Sequence, residues 1–414
     1  MGLSKGLSKG LINAQVHDAE VMRGAGADLL QLALMDARNR TLGWLSAFDD
    51  LQFSAEFDGF DPPWWQAGHV AWFQEYWVAR HVRRGRGEAA GAGGARLASV
   101  QPWADAWFDP QASRRAQRWQ GPAPAAELLR QYLADSLDTT LELLDKAAPT
   151  DDGLYVFRLA LAHEDRQAEA LAVLVQALDL PAACQLALVE RGLWPTLPGH
   201  GRRDALGFGS QRCLLGSAPG GYVPPSERWA HEVSVMEFEI DAQPVSWAQY
   251  AEFVEDGGYD KRQWWSEAGW EVLDATQRRA PRYIEQVAGG VLARRQGRLQ
   301  RLPGSQSVLH ISAHEADAWC RWAGRRLPSD AEWELAASQA AARGFVWGEV
   351  AEWVAGSARA YPGGPTPEAA TAASRRVQRG TSAWASTRLR HAHARQFVAA
   401  GSDEGFVGFR SCAL

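Results

Sequence analysis

The 414-residue sequence predicts an α + (α+β) chain: a four-helix bundle followed by an irregular α+β domain with much loop. Three observations predict it. Apolar residues recur at helical spacing through four long segments before about residue 180. A Pro/Gly-rich stretch then interrupts the pattern. Beyond it, three capping-box motifs open short helices among Gly- and Trp-rich runs of β-like sequence. The length alone exceeds one ordinary domain.

Residues 1–12 read as a flexible N-terminal arm. "MGLSKGLSKG" lacks the apolar run of a signal peptide, and Gly6 stands where a myristoylation signal needs Ser or Thr. The bundle occupies residues 13–180. Its first helix is expected from Asp18 to Phe48, with Leu29, Leu30, Leu32, Leu34 and Leu42 as apolar positions and Gly24 and Gly26 weakening its start. The second spans Trp65 to Arg84, the third Ala125 to Ala147 and the fourth Gly153 to Leu180. "GEAAGAGGA" is a low-complexity connector between the second and third. Residues 181–209 form a linker, and residues 210–414 the second domain. There Ser246 with Gln249, Ser312 with Glu315, and Ser329 with Glu332 fit the capping box, in which two side chains satisfy each other's orphan amides. "VSVMEFEI" and "GFVGFRSCAL" read as strands.

Composition excludes several function classes. Apolar content of 46% with 22% charged residues fits a soluble globular protein. A net charge of −6 gives no general attraction to nucleic acid, and the basic run Arg80–Arg86 reads as a solvated helix end. No window is apolar over eighteen residues, so no membrane span is expected. Cys184, Cys213, Cys320 and Cys412 lie far apart without a C-x-x-C pair, which disfavours a disulfide framework or zinc ribbon and fits a reducing cytoplasm. Most of the twenty tryptophans should be core, with a few left to line an aromatic pocket.

The chemistry concentrates in "HEDRQAEA". His163 and Gln167 are four apart on a helix and face one point, where a metal-binding helix would carry a second histidine. Glu169 lies about 240° round from His163, better placed as a neighbour than as a ligand. His69, on an aromatic helix face, completes the set from another helix; it reads equally as a ligand and as a satisfied core residue. Two imidazoles suit iron, copper or zinc, whereas an amide oxygen is a weak, hard ligand. His81, His200, His231, His391 and His393 read as surface residues, and His17, His310 and His314 show no pairing.

"GHVAWFQEYWVARHV" and "FRLALAHEDRQAEAL" resemble the two metal-bearing helices of a DinB-like bundle. "PVSWAQYAEFVEDGGY", "WAGRRLPSDAEWELAA", "WGEVAEW" and the terminal "RGTSAW…ARQF…GFVGFR" resemble a formylglycine-generating-enzyme-like (sulfatase-modifying-factor, C-type-lectin-like) domain. Together they resemble the ergothioneine-type sulfoxide synthases and the related selenoneine synthases, over nearly the whole chain. The resemblance implies a cytoplasmic oxidoreductase with mononuclear non-haem iron(II). It joins sulfur or selenium to C2 of the imidazole of hercynine, with dioxygen and a chalcogen donor as its other small-molecule partners.

Carried over by motif, the ligands would be His69, His163 and, in place of a third histidine, Gln167. Arg166 stands where the family often has an amide or methionine, either as a cation beside the site or on the helix flank. The two catalytic cysteines of formylglycine-generating enzymes have no match, and Cys320 and Cys412 read as core thiols. Hercynine's trimethylammonium needs aromatic faces, for which Trp384 and Phe397 are the candidates. Its carboxylate suits a bidentate arginine, Arg395, with Arg379 and Arg410 competing. Tyr361 would donate a proton, and Arg115 and Arg118 would meet the donor's carboxylates. "LYVFRLALAHED" and "SERWAHEV" resemble the selenoneine branch, so the expected donor is a selenosugar. The alternatives are γ-glutamylcysteine or cysteine as donor, a non-catalytic small-molecule-binding relative with a degraded metal site, and a zinc- or nickel-binding thiol transferase.

Overall fold

The structure is a computed structural model that describes residues 12–49, 59–91, 93–120, 124–364 and 374–414. All but the last residue of the expected N-terminal arm therefore lies outside the described residues. Contacts divide the chain into two compact units. The first holds the described residues up to Trp194 together with Gly220–Tyr222 and Trp384–Leu389. The second holds Pro195–Pro219, Val223–Ala383 and Arg390–Leu414.

Four long helices build the first unit: α1 (Ala27–Leu45), α2 (Pro63–Gln74), α3 (Ala126–Asp145) and α4 (Asp151–Ala177). Proline at the first position of α2 costs nothing, because its missing amide would be unpaired there anyway. Thr150 caps α4 by accepting from the amide of Gly153, and Asp151 and Asp152 complement the positive end of the helix. The single helix expected over Asp18–Phe48 is instead two, Ala19–Arg23 and Ala27–Leu45, because Gly24 and Gly26 leave the backbone between them too free to stay helical. Leu30, Ala33, Leu34 and Ala37 of α1 share a core with Leu154, Phe157, Ala160 and Leu161 of α4. Trp65, Val70, Ala71 and Trp72 of α2 share another with Leu129, Tyr132 and Leu133 of α3. Burying each such leucine is worth about 1.5–3 kcal/mol.

Past Gln74, α2 widens into a π-turn over Glu75–Ala79 and stops at Arg80, short of the expected Arg84. Arg80 is not a solvated helix end. Its guanidinium forks onto Asp105 at 2.7 and 3.0 Å and its Nε donates to the carbonyl of Leu97. His81, expected at the surface, is fully buried: its Nε2 meets the carbonyl of Gly91 at 3.0 Å, and its Nδ1 accepts from the amide of Arg83. Among the described residues no helix is long and apolar enough to cross a membrane.

In the second unit all three capping boxes form, at the starts of α5 (Trp247–Glu255), α6 (Ala313–Trp322) and α7 (Asp330–Gln339). The strands are β1 (Leu206–Phe208), β2 (Gln211–Leu215), β3 (His231–Val235), β4 (Phe238–Ile240), β5 (Ile284–Gln286), β6 (Leu292–Arg295), β7 (Arg298–Arg301), β8 (Ala351–Ser357), β9 (Arg375–Arg379), β10 (Arg395–Ala399) and β11 (Val407–Phe409). The largest sheet runs β10-β9-β8-β11; its last pair is parallel and the others antiparallel. Just after β11, Arg410 forks onto Glu352 of β8 at 2.5 and 2.7 Å, with both side chains sealed from water. Breaking such a buried pair costs about 3–5 kcal/mol. Cys320 and Cys412 are buried, and burial pushes both thiols up, Cys412 to about 12.

His310 is buried with a left-handed backbone (φ 61°), and its Nδ1 lies 3.2 Å from the carbonyl of Glu404. Burial, then the nearby Arg295 cation, pulls its imidazole down to about 3. The unfolded chain, near pKa 6.5, protonates first, so stability present above about pH 6.5 drains away as the pH falls towards 3. His310→Asn keeps a residue suited to that backbone. It should flatten the acid side of the unfolding-midpoint profile; an unchanged slope would show that His310 carries none of the acid sensitivity.

Candidate functional site

Helix α2 presents His69, and α4 presents His163 and Gln167. The two imidazole centroids lie 5.0 Å apart at an interplanar angle of 72°. His69 Nδ1 faces the carbonyl of Phe108 at 2.9 Å, so the ring proton belongs on Nδ1 and the lone pair on Nε2. Trp65 stacks on His69 at 4.9 Å, and Phe73 stacks on His163 at 3.7 Å and 3°. Burial holds both imidazoles below the ordinary histidine range; Arg118 adds to the effect at His69, and His69 and then Arg166 add to it at His163. Neutral imidazole is the form that ligates metal.

Gly68 makes this packing possible. A Cβ there would come within 2.1 Å of the Phe108 ring, so glycine alone lets that ring lie on α2 while its carbonyl reaches His69. The Nε2 of Gln167 lies 3.5 Å from Nε2 of His163, and rotating the amide exchanges its nitrogen for its oxygen. Metal–nitrogen bonds of about 2.1 Å set two imidazoles on one ion at centroid distances of roughly 5 Å, so the spacing fits a shared cation. The donor set, two imidazoles and an amide, fits a weakly held one. Among the described residues no group of three or more His, Cys, Asp and Glu is placed to hold a metal. The acidic neighbours are turned elsewhere: Glu164 bonds Arg38, Thr41 and Gln74, and Asp165 bonds Arg388. Arg166 is exposed on the helix flank.

Arg118 stacks over Trp65 at 3.6 Å, extending the column that ends on His69. Its nitrogens are all engaged, with Asp61 at 2.7 Å, Pro110 O at 3.1 Å, Ser113 O at 3.0 Å and Ser113 Oγ at 3.3 Å. Arg115, 53% exposed and 3.6 Å from the same aspartate, is the less committed cation. Both border a surface cavity of about 520 Å³. Trp384 also belongs to the first unit. It is buried edge-on against Trp194 at 5.5 Å, and its carbonyl accepts from Arg40. Its indole is thus core packing, which leaves little face for a trimethylammonium group.

Tyr361, Arg395 and Phe397 gather in the second unit. The Arg395 guanidinium lies 4.0 Å over Tyr361 and 4.7 Å over Phe397. Its donors go to Asp330, Ser226 O and Arg359 O, each at 2.8 Å, so the fork expected for a substrate carboxylate is spent inside the unit. Arg379 and Arg410 are likewise committed, to Glu334 and Glu352. Tyr361 donates to Asp330 at 3.0 Å, and burial pushes its phenol above the ordinary range. The Phe108 carbonyl, the Glu164 network and the Asp165–Arg388 pair are not legible in the sequence. Only the glycine before His69 hinted at the first.

Residues 33–175 match the DinB superfamily, and residues 214–349 match the sulfatase-modifying factor enzyme 1-like domain. The hercynine oxygenase of Mycolicibacterium thermoresistibile is 32% identical over 326 residues, covering 77% of this chain and 69% of that protein. That of Mycobacterium tuberculosis is 31% identical over 322 residues, covering 76% and 72%. The chain belongs to the hercynine oxygenase family. A formylglycine-generating enzyme from Streptomyces coelicolor is 34% identical over 149 residues, only 33% of this chain and 47% of that enzyme. The hercynine oxygenase match thus spans both halves, whereas the formylglycine one is confined to part of the chain.

In this hercynine oxygenase family member, Gly68→Ala should push Phe108 off α2 and strip His69 of its carbonyl partner. Divalent-metal affinity should then fall by about tenfold or more, the scale of outer-shell changes. Titration with Co(II) checks this; unchanged affinity would mean that the Phe108 contact does not govern His69.

Proposed function

We propose that this chain is a non-haem iron(II)- and dioxygen-dependent enzyme that forms a carbon–selenium bond at C2 of the hercynine imidazole, taking selenium from a selenosugar. The observation that carries the reading is the pair of neutral imidazoles, 5.0 Å apart on two helices, in a chain that aligns with hercynine oxygenases over 77% of its length. His69 and His163 would hold the ion through Nε2, and Gln167 through its amide oxygen. Iron(II), when bound, supplies the activation of dioxygen.

The chain's own side chains do the rest. The Phe108 carbonyl fixes the tautomer of His69, and Phe73 holds the plane of His163. Trp65, Trp72 and Phe73 cover faces of the two rings. Tyr361 is the proposed proton donor. Its hydroxyl, which donates to Asp330 in this structure, would turn from that carboxylate to deliver the proton, against the effect of burial, which pushes the phenol up and makes it a weaker acid. For the trimethylammonium, Phe397 is the more accessible of the two rings named from the sequence.

The choice of donor has a physical support. γ-Glutamylcysteine brings two carboxylates, which call for free arginine forks. Of the two arginines that the resemblance assigns to this role, Arg118 is already closed on Asp61 and backbone carbonyls, and Arg115 is the less committed. A donor without carboxylates suits such a surface better.

With iron(II), the protein should consume dioxygen only when hercynine and a selenosugar are both present. Faster consumption with γ-glutamylcysteine would replace the selenium reading with the sulfur one. Gln167→His should tighten iron(II) binding by about tenfold or more. If the dissociation constant does not move, residue 167 is not a ligand.

A further inference from the structure

Two consecutive residues of α2 grip two consecutive residues of α4. Phe73 lies flat on His163 at 3.7 Å, and next to it the side chain of Gln74 donates to Glu164 Oε2 at 3.0 Å. A third helix closes on the same carboxylate. From α1, Arg38 donates to Glu164 Oε1 and to Gln74 Oε1, both at 2.8 Å, and Thr41 donates to Glu164 Oε1 at 2.9 Å. Arg38 also reaches the carbonyl of Leu133 on α3. Arg38, Gln74 and Glu164 are at most 2% exposed.

Stability alone does not call for this arrangement. Desolvating a buried ion pair costs about what the attraction returns, and apolar side chains of similar volume often serve as well. Hydrogen bonds add direction: they hold a distance that apolar contacts allow to slide. The two imidazoles differ in their need for it. His69 is pinned by the Phe108 carbonyl, whereas among the described residues His163 Nδ1 has no hydrogen-bond partner. The His163 ring therefore takes its orientation from the face of Phe73 and from the register of α2 against α4. The contact between Gln74 and Glu164, one residue along on each helix, sets that register. With its oxygens taken by Arg38, Thr41 and Gln74, Glu164 is not placed as the general base that follows the first histidine in metallopeptidase helices.

We propose that Gln74 and Glu164, braced by Arg38, are positioning residues that set the distance and angle between His69 and His163; this rests on the proposed metal reading. The test uses the full-length protein and Co(II) alone, following dissociation constant, ligand-field spectrum and unfolding midpoint. Gln74→Met keeps the side-chain length and the Arg38–Glu164 pair but cuts the tie between the two histidine-bearing helices. It should weaken Co(II) binding by about tenfold and alter the spectrum. The triple variant Arg38→Met/Gln74→Met/Glu164→Leu replaces the whole network with apolar groups. It should melt near the wild type yet bind Co(II) as weakly as Gln74→Met. Recovery of wild-type affinity and spectrum in the triple variant would reduce the network to a stability device and overturn the proposal. If the triple variant does not fold, Gln74→Met decides alone, and wild-type affinity there is equally fatal. Failure of the wild type itself to bind Co(II) would sink the metal reading, and this inference with it.

Discussion

Two imidazoles 5.0 Å apart in a protein interior are tolerable only if neither carries charge. Much of the first unit answers that constraint. Burial keeps His69 and His163 unprotonated, His69 discourages a proton on His163, and the Phe108 carbonyl absorbs the one N–H that His69 must place. Aromatic faces fill the space that water would otherwise use to stabilise an imidazolium. The nearby carboxylates, which could draw protons onto the pair, are given to arginines. Glu164 goes to Arg38 and Asp165 to Arg388, each through charge-assisted contacts of 2.7–2.8 Å. What remains is a pair of lone-pair donors beside a neutral amide.

The second unit solves a different problem with the same tools. Its sheet and capped helices are tied together by buried arginine–carboxylate pairs, Arg410 with Glu352 and Arg379 with Glu334. Arg395 adds a third, stacked on two aromatic rings and bonded to Asp330. A guanidinium held on this many sides is a fixed part of the architecture. Its value to any ligand is as a source of field and shape rather than as a hand free to close.

Local grammar was legible in the sequence where local physics decides. Each Ser-x-x-Glu or Ser-x-x-Gln became a capping box because both partners lie within one turn. His163 and Gln167 share a face because four residues make about one turn. His69 came from the motif of an aromatic helix, and the structure sets it opposite His163. Contacts between distant residues were not legible. Nothing near Arg38 announces a partner 126 residues on, nor near Asp165 one 223 residues on. Arginine itself misled most, since a free fork and a buried brace have the same letter. Arg80, Arg118 and Arg395 each turned out to be braces. The break at Gly24–Gly26 was visible as a weakness but not as a stop, because propensity alone does not say whether tertiary packing will carry a helix across.

The segment Trp384–Leu389 packs with the helices of the first unit, and its Arg388 neutralises Asp165 and Asp36. During synthesis a ribosome delivers the helix carrying Asp165 more than two hundred residues before it delivers that arginine. Until then a carboxylate destined for the interior lacks its hydrogen-bonded counter-ion and has only the Coulombic attraction of Arg40, so full burial would cost more than it does in the finished fold. The bundle, although made first, thus receives this buried ion pair only when nearly the whole chain has been made.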